Sequence, residues 1–236
     1  MQLFYSKDIS SSGFCTLDAE ETRHAVRVLR MREGDAIHVT DGCGNLYRCR
    51  IVQADDRACV VEVAEQEFSI PNSQSSIHLA VAPTKNPARM EWLVEKAVEI
   101  GVGEITLLQC DHSERTFLKT ERLEKLAVSA MKQSLHLTLP HINPAVSLRE
   151  WVGAVASSQK FIAHCEADRS RMPLAAALQP GMDAVVLIGP EGDFSEEEIA
   201  LALDAGFTPV SLGPSRLRTE TAALYAVVAF NLINDK

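Results

Sequence analysis

Leu187-Ile-Gly-Pro-Glu-Gly-Asp193-Phe-Ser195 and Leu212-Gly-Pro-Ser-Arg-Leu-Arg-Thr-Glu-Thr-Ala222 decide how this chain is read. The first stretch carries an apolar strand, Ala184 to Ile188, into a loop with two glycines and a proline. Ser195-x-x-Glu198 then opens a helix as a capping box, and that helix ends at Gly206. Glycine allows a ligand to approach the backbone closely, and proline stiffens the loop. The second stretch follows a strand over Pro209 to Leu212 and gathers Arg216, Arg218 and Glu220 at the mouth of a helix. That helix, Thr219 to Ile233, is apolar nearly all round, which predicts burial on every side, in the core or against a second subunit. Both loops leave the carboxyl end of a strand, where open α/β sheets bind ligands. Neither is a P-loop, because no Gly-Lys-Ser/Thr follows, and G-x-x-G lacks the third glycine of the dinucleotide fingerprint. Taken singly, each also fits a plain turn or a helix cap.

Upstream, strands alternate with helices. Ile77 to Ala82 is a strand, Asn86-Pro87 caps and starts a helix that stops at Gly101, and Ile105 to Leu108 is the next strand. Thr120 caps a helix through Ser134, and Phe161 to Ala163 is another strand. This alternation predicts βαβ units and a mostly parallel sheet with helices on both faces. The first seventy residues differ. Asp18-x-x-Glu21 has capping-box spacing for a helix through Leu29. Strands over Ala36–Thr40, Leu46–Val52 and Ala58–Val63 are separated by Asp/Gly turns, which predicts a small antiparallel barrel or meander. The organisation expected is therefore a β-rich domain over 1–70, a polar linker over 71–76, and an α/β domain over 77–236.

The chain has 236 residues, 46% of them hydrophobic and 23% charged, an ordinary soluble composition. Its longest apolar run, Ala222 to Phe230, falls far short of the roughly 20 residues needed to span a membrane. The N-terminus lacks the features of a secretory signal. Six scattered cysteines without a C-x-x-C pair then read as reduced thiols of a cytoplasmic protein. The seven histidines are dispersed without zinc-ligand spacing, so no metal is expected. Net charge is −9, which argues against indiscriminate nucleic-acid binding. Yet Arg23, Arg27, Arg30 and Arg32 form a stripe, and Tyr47-Arg48-Cys49-Arg50 pairs basic residues with an aromatic. Each cluster is either a solvated face or an oriented anion-binding surface.

The two loops together resemble the signature of the RsmE family, SPOUT-class methyltransferases that modify N3 of a uridine in 16S ribosomal RNA. His24-x-x-x-Val-Leu-Arg30 with Gly34-Asp35 is similar to that family's PUA-like domain. Glu91 to Gly103, Glu114-Arg115 and Gln133-Ser134 are similar to parts of its catalytic domain. The resemblance implies a trefoil-knotted α/β domain after a PUA-like barrel, and a homodimer formed through the knotted domain. It implies S-adenosyl-L-methionine as cofactor, held by Leu187, Ile188, Gly189, Glu191, Gly192, Leu212, Gly213, Leu217, Arg218, Thr219 and Thr221. The implied partner is 16S rRNA of the small ribosomal subunit, met by Arg23, Arg27, Arg30, Tyr47, Arg48, Arg50 and Arg115. Three departures stand out. Asp193 replaces a usual glycine, Ser215-Arg216 replaces an arginine followed by an aliphatic residue, and Leu135-His136 replaces a stretch that often holds an arginine.

Uracil N3 is a weak acid that must lose its proton, leaving negative charge on O2 and O4. Such a site needs a proton acceptor and a cation for the developing charge. Arg218 fits the second role, with Arg216 in reserve, and Glu220 or Glu191 fits the first. Two other functions remain compatible with the same motifs. One is a different SPOUT enzyme acting on ribose 2′-O or on tRNA; the other is a non-catalytic RNA-binding or assembly factor.

Overall fold

The computed structural model describes residues 2–70, 75–115, 118–166 and 170–234, so most of the expected linker, 71–74, lies outside the described residues. Two compact units are present: Met1–Ser73 with Val128–Leu139, and Gln74–Ala127 with Pro140–Lys236. The segment Val128–Leu139, read from sequence as part of the α/β domain, packs with the first unit.

In the first unit, β1 (Leu3–Tyr5), β2 (Phe14–Thr16), β3 (Ala36–Thr40), β4 (Asn45–Ala54) and β5 (Cys59–Ser69) form one sheet in the order β1-β3-β4-β5-β2. β1 runs parallel to β3, and the remaining pairs are antiparallel. Alternation in β4 sends Cys49 and Ile51 inward and Arg48 and Arg50 outward. Helix α1 (Ala19–Arg23) begins where the Asp18 carboxylate accepts the Glu20 and Glu21 N–H groups at 2.9 and 2.8 Å. It continues as a π-helical turn over His24–Val28, so the expected helix through Leu29 is α-helical only in its first half.

Glu21 does not complete the capping box suggested by its spacing. Its side chain turns inward, 3% exposed, and accepts a hydrogen bond from the Lys132 ammonium, while Oε2 has no hydrogen-bond partner among the described residues. Burial pushes its pKa up despite the lysine. A carboxyl that holds its proton more tightly folded than unfolded favours folding at low pH. Stability is then lost as pH rises from the ordinary value of 4.5 through the raised one. Relative to Glu21→Gln, the wild-type unit should lose protection of its β3–β5 amides as pH rises, measured by hydrogen exchange at matched pH. Parallel pH profiles would contradict this.

The second unit contains β6 (Ile77–Val81), α2 (Pro87–Ile100), β7 (Glu104–Gln109), the first half of α3 (Thr120–Ser134), β8 (His141–Ser147), α4 (Leu148–Trp151) and β9 (Gln159–Ala163). These are followed by β10 (Met172–Pro173), α5 (Leu174–Ala177), β11 (Ala184–Ile188), α6 (Glu196–Asp204), β12 (Thr208–Ser211) and α7 (Thr219–Asn234). Seven strands form one parallel sheet in the order β10-β12-β9-β11-β6-β7-β8. β11 is buried throughout, as a central parallel strand should be. On one face Ala80, Val185 and Leu187 pack with Leu148 of α4 and with Ile199 and Ala202 of α6. α7 packs on β6, β11 and α2.

The expectation that α7 is buried on every side does not hold within this chain. Its packed face is Thr219, Glu220, Ala223, Ala226, Val227 and Phe230, one stripe at helical spacing, while Tyr225 is 41% and Leu232 71% exposed. Its composition is apolar all round, but its packing is one-sided.

Candidate functional site

Both decisive loops leave adjacent parts of the second sheet. β11 and β12 flank β9, and their carboxyl ends reach Gly189 and Leu212. The first loop is braced from several directions. The Ser195 hydroxyl accepts the Glu198 N–H at 3.2 Å, and the Glu198 carboxylate accepts the Ser195 N–H at 2.9 Å, so this capping box is complete. Ser195 also donates to Asp111 Oδ2 at 2.7 Å, and Arg149 donates to the same carboxylate at 2.5 Å. Those two bonds, arginine first, hold the Asp111 pKa below the usual carboxylate range.

The loops meet directly. The Thr219 hydroxyl donates to the Gly189 carbonyl at 3.1 Å, joining the start of α7 to the exit of β11. They enclose a cleft of about 380 Å³ whose walls include Ile188, Gly189, Glu191, Arg216, Leu217, Arg218 and Thr219. A second hollow of about 510 Å³ shares Cys165, Asp193 and Arg216 with it and extends along Gly213, Pro214 and Ser215. Both lie within the 300–1,000 Å³ range of small-molecule sites. Arg216 and Arg218 are exposed, and neither guanidinium makes a hydrogen bond or ion pair to any described residue. The cleft thus presents two available guanidinium groups beside apolar Ile188 and Leu217.

The proposed cofactor residues separate into groups. Ile188, Gly189, Glu191, Leu217, Arg218 and Thr219 line the cleft, and Gly213, at φ 109°, lines the adjoining hollow. Leu187 points into the core with Val185 and Ile199, as alternation along a strand requires. Gly192 abuts His112, where an added Cβ would lie 3.0 Å from that residue's Cβ. Leu212 and Thr221 are not on either wall.

The two carboxylates left open by the sequence are now distinguished. Glu220 is buried behind the cleft, with Oε1 at 3.7 Å from Arg89 Nε and Oε2 without a hydrogen-bond partner among the described residues. Glu191 lies on the cleft wall, and among the described residues its Oε1 accepts the Lys85 N–H at 3.0 Å. Asp193 adopts φ 65°, the left-handed region that favours glycine. Its carboxylate is consumed by the chain, accepting the Cys165 N–H at 2.7 Å and the Phe194 N–H at 2.9 Å. It ties the end of β9 to the loop.

Arg89, Ala163 and Cys165 also line the cleft and carried no signal in the sequence. Arg89 stands in the first turn of α2, and Cys165 follows β9; only the strand order brings them here.

The basic residues of the first unit are sorted by pairing. Arg27 meets Asp56 at 3.1 Å and Arg48 meets Glu65 at 2.5 Å. Tyr47 is 5% exposed and part of the core, so its ring is not available to stack on RNA. Arg23, Arg30 and Arg50 are exposed without a described partner. In the second unit, Arg115 Nε donates to the Lys85 carbonyl at 3.2 Å. Among the described residues no group of three or more His, Cys, Asp or Glu is placed to hold a metal ion. No helix there is long and apolar enough to cross a membrane. All six cysteines are free, with Cys43 and Cys165 exposed.

Comparison with known proteins yields two family matches: the RNA methyltransferase domain over residues 71–231 and the RNA methyltransferase PUA domain over residues 17–64. The chain is 30% identical to the ribosomal RNA small subunit methyltransferase E of Mycobacterium tuberculosis, over 99% of this chain and 92% of that one. Among solved structures, a probable rRNA-methyltransferase from Porphyromonas gingivalis is 44% identical with a TM-score of 0.91, covering 99% of this chain and 98% of that one. A ribosomal RNA small subunit methyltransferase E from Neisseria gonorrhoeae, bound to S-adenosyl methionine, is 28% identical with a TM-score of 0.83, again covering 99% and 98%.

Proposed function

Because the chain belongs to the RNA methyltransferase family and carries that family's PUA domain, we propose that it methylates N3 of a uridine in 16S rRNA of the small ribosomal subunit, using S-adenosyl-L-methionine. The observation that carries this is the convergence of two glycine-bearing loops on one cleft with two unpaired arginines. The residues fit the cofactor: Ile188 and Leu217 offer apolar surface for an adenine, and the Arg216 guanidinium offers a partner for a carboxylate. When bound, the cofactor supplies an electrophilic methyl group on a sulfonium.

The remaining work falls to side chains of this chain. Arg218 stabilises the negative charge that develops on the uracil oxygens, in a cleft where a fixed cation acts more strongly than in water. Glu191 keeps one oxygen for the N3 proton. Glu220 acts through Arg89, holding that guanidinium at the cleft wall. Arg23, Arg30 and Arg50 are the arginines of the first unit left to meet rRNA phosphates.

The same reading includes a knotted passage of the chain around α7, a cytoplasmic location, and the functional division into 1–70, 71–76 and 77–236. It also includes a homodimer, for which α2 and α7 offer the exposed apolar side chains Trp92, Tyr225 and Leu232. Nucleoside mass spectrometry of 16S rRNA from cells lacking the protein should show loss of one N3-methyluridine. Loss of a ribose-methylated nucleoside instead, or of none, would overturn the assignment. Calorimetry should show heat for S-adenosylmethionine. The bound cofactor should also slow iodoacetamide labelling of Cys165 several-fold without affecting Cys43; unchanged Cys165 labelling would place the cofactor elsewhere.

A further inference from the structure

The first unit holds a hollow of its own, about 520 Å³, between the π turn after α1 and the second half of α3. Two sequence segments that the cleft does not use, around His24 and around Gln133, form its walls. We propose that this hollow takes one unpaired RNA nucleotide, with its phosphate on Arg23 and its base edge on Gln133.

The shape, polarity and rigidity of the hollow all favour that ligand. Its volume falls in the range of small-ligand pockets. The Arg23 side chain is exposed and its guanidinium pairs with no described residue, so it is available for a phosphate. Gln133, likewise exposed, carries both a donor and an acceptor, the requirement for pairing with a base edge. Val28 and Leu135 line the hollow at 63% and 45% exposure, giving apolar surface for the face of a base. RNA read in sequence-specific fashion is read at such unstacked nucleotides, because the grooves of an A-form helix hide or blur base edges.

The walls are braced from within the unit. Lys132 lines the hollow and is anchored to the buried Glu21 carboxylate, so its position is set from within the unit. Burial first, and the lysine charge second, push the His24 pKa down, and its Nε2 lies 2.9 Å from Gln2 Nε2. The backbone is irregular here as well. A π turn forms one wall, and Leu135 adopts φ 61°, in the left-handed region that leucine rarely occupies. Distortions of both kinds concentrate at binding sites.

This proposal rests on the reading that the chain binds ribosomal RNA, and its test separates the two. The full chain is titrated with a fluorescent 16S rRNA transcript over a range of salt concentrations. S-adenosylmethionine binding is measured in parallel to confirm an intact second unit. Arg23→Ala should lower the salt slope by roughly one phosphate contact. Gln133→Ala should weaken transcript binding about tenfold with the slope unchanged and should leave binding of a plain RNA duplex unaltered. Wild-type transcript affinity in both variants, or an equal loss on the duplex, would overturn the pocket. A wild-type chain that binds the transcript but transfers no methyl group would overturn the enzymatic reading and leave the pocket standing.

Discussion

Arg218→Ala should lower single-turnover methyl transfer by about 100- to 1,000-fold, the usual loss when one stabiliser of a developing oxyanion is removed. The residue sits on the wall of the cleft, is exposed, and makes no ion pair to a described residue. Its removal therefore strands no buried partner, and folding should be preserved. Cofactor binding by calorimetry should persist, because the backbone around Gly189 and Leu217 is unchanged. A shift of the loss from kcat to KM would mean that Arg218 grips substrate equally in the ground state. Near-wild-type turnover would remove it from the chemistry and transfer attention to Arg216, which lines both hollows.

The second large effect is expected at Gly189. A Cβ added there would lie 3.1 and 3.2 Å from ring carbons of Phe194 and 3.3 Å from its backbone nitrogen. Phe194 cannot withdraw, since it is 5% exposed and packed among Leu187, Ile199 and Ala202. Gly189→Ala must therefore move the loop, at a cost typical of overpacking, about 1–3 kcal/mol. That displacement should weaken S-adenosylmethionine binding about tenfold or more, measured on protein whose circular dichroism is unchanged. Thr219→Val removes the hydrogen bond to the Gly189 carbonyl without adding bulk at the glycine. It should cost about 1 kcal/mol of the same affinity. Unaltered affinity in both variants would show that this junction does not shape the cofactor site.

Much of the fold was legible in the residues because it is written locally. Asn86-Pro87 and Gly101 bound α2 as expected, and Ser195 with Glu198 caps α6 reciprocally. β6, β7, β9, β11 and β12 fall at the predicted apolar runs. The strands that escaped detection are short or interrupted. β1 and β2 have three residues each, and β8 and β10 contain Pro144 and Pro173. Those prolines are tolerated because β8 and β10 are the two edges of the seven-stranded sheet, where a missing N–H donor breaks no ladder.

The site divides along the same line. Loop composition marked the glycines and Arg218 without coordinates, and the resemblance to a known family added Glu191 and Thr219. They could not show that Glu220 lies behind the wall and Glu191 on it, since both are glutamates beside a glycine-bearing loop. Nor could they reveal that Tyr47 serves the core, because an aromatic between arginines reads alike in a binding face and in an alternating strand.

The order of residues along the chain determined by itself the capped helices, the buried strands and the two loops, each arising from interactions within a few positions. Tertiary structure alone decided which charges stay unpaired. Arg27 and Arg48 are neutralised by Asp56 and Glu65, whereas Arg23, Arg216 and Arg218 meet no described acid. Availability of a charge depends on neighbours distant in sequence, and strand order and packing choose those neighbours.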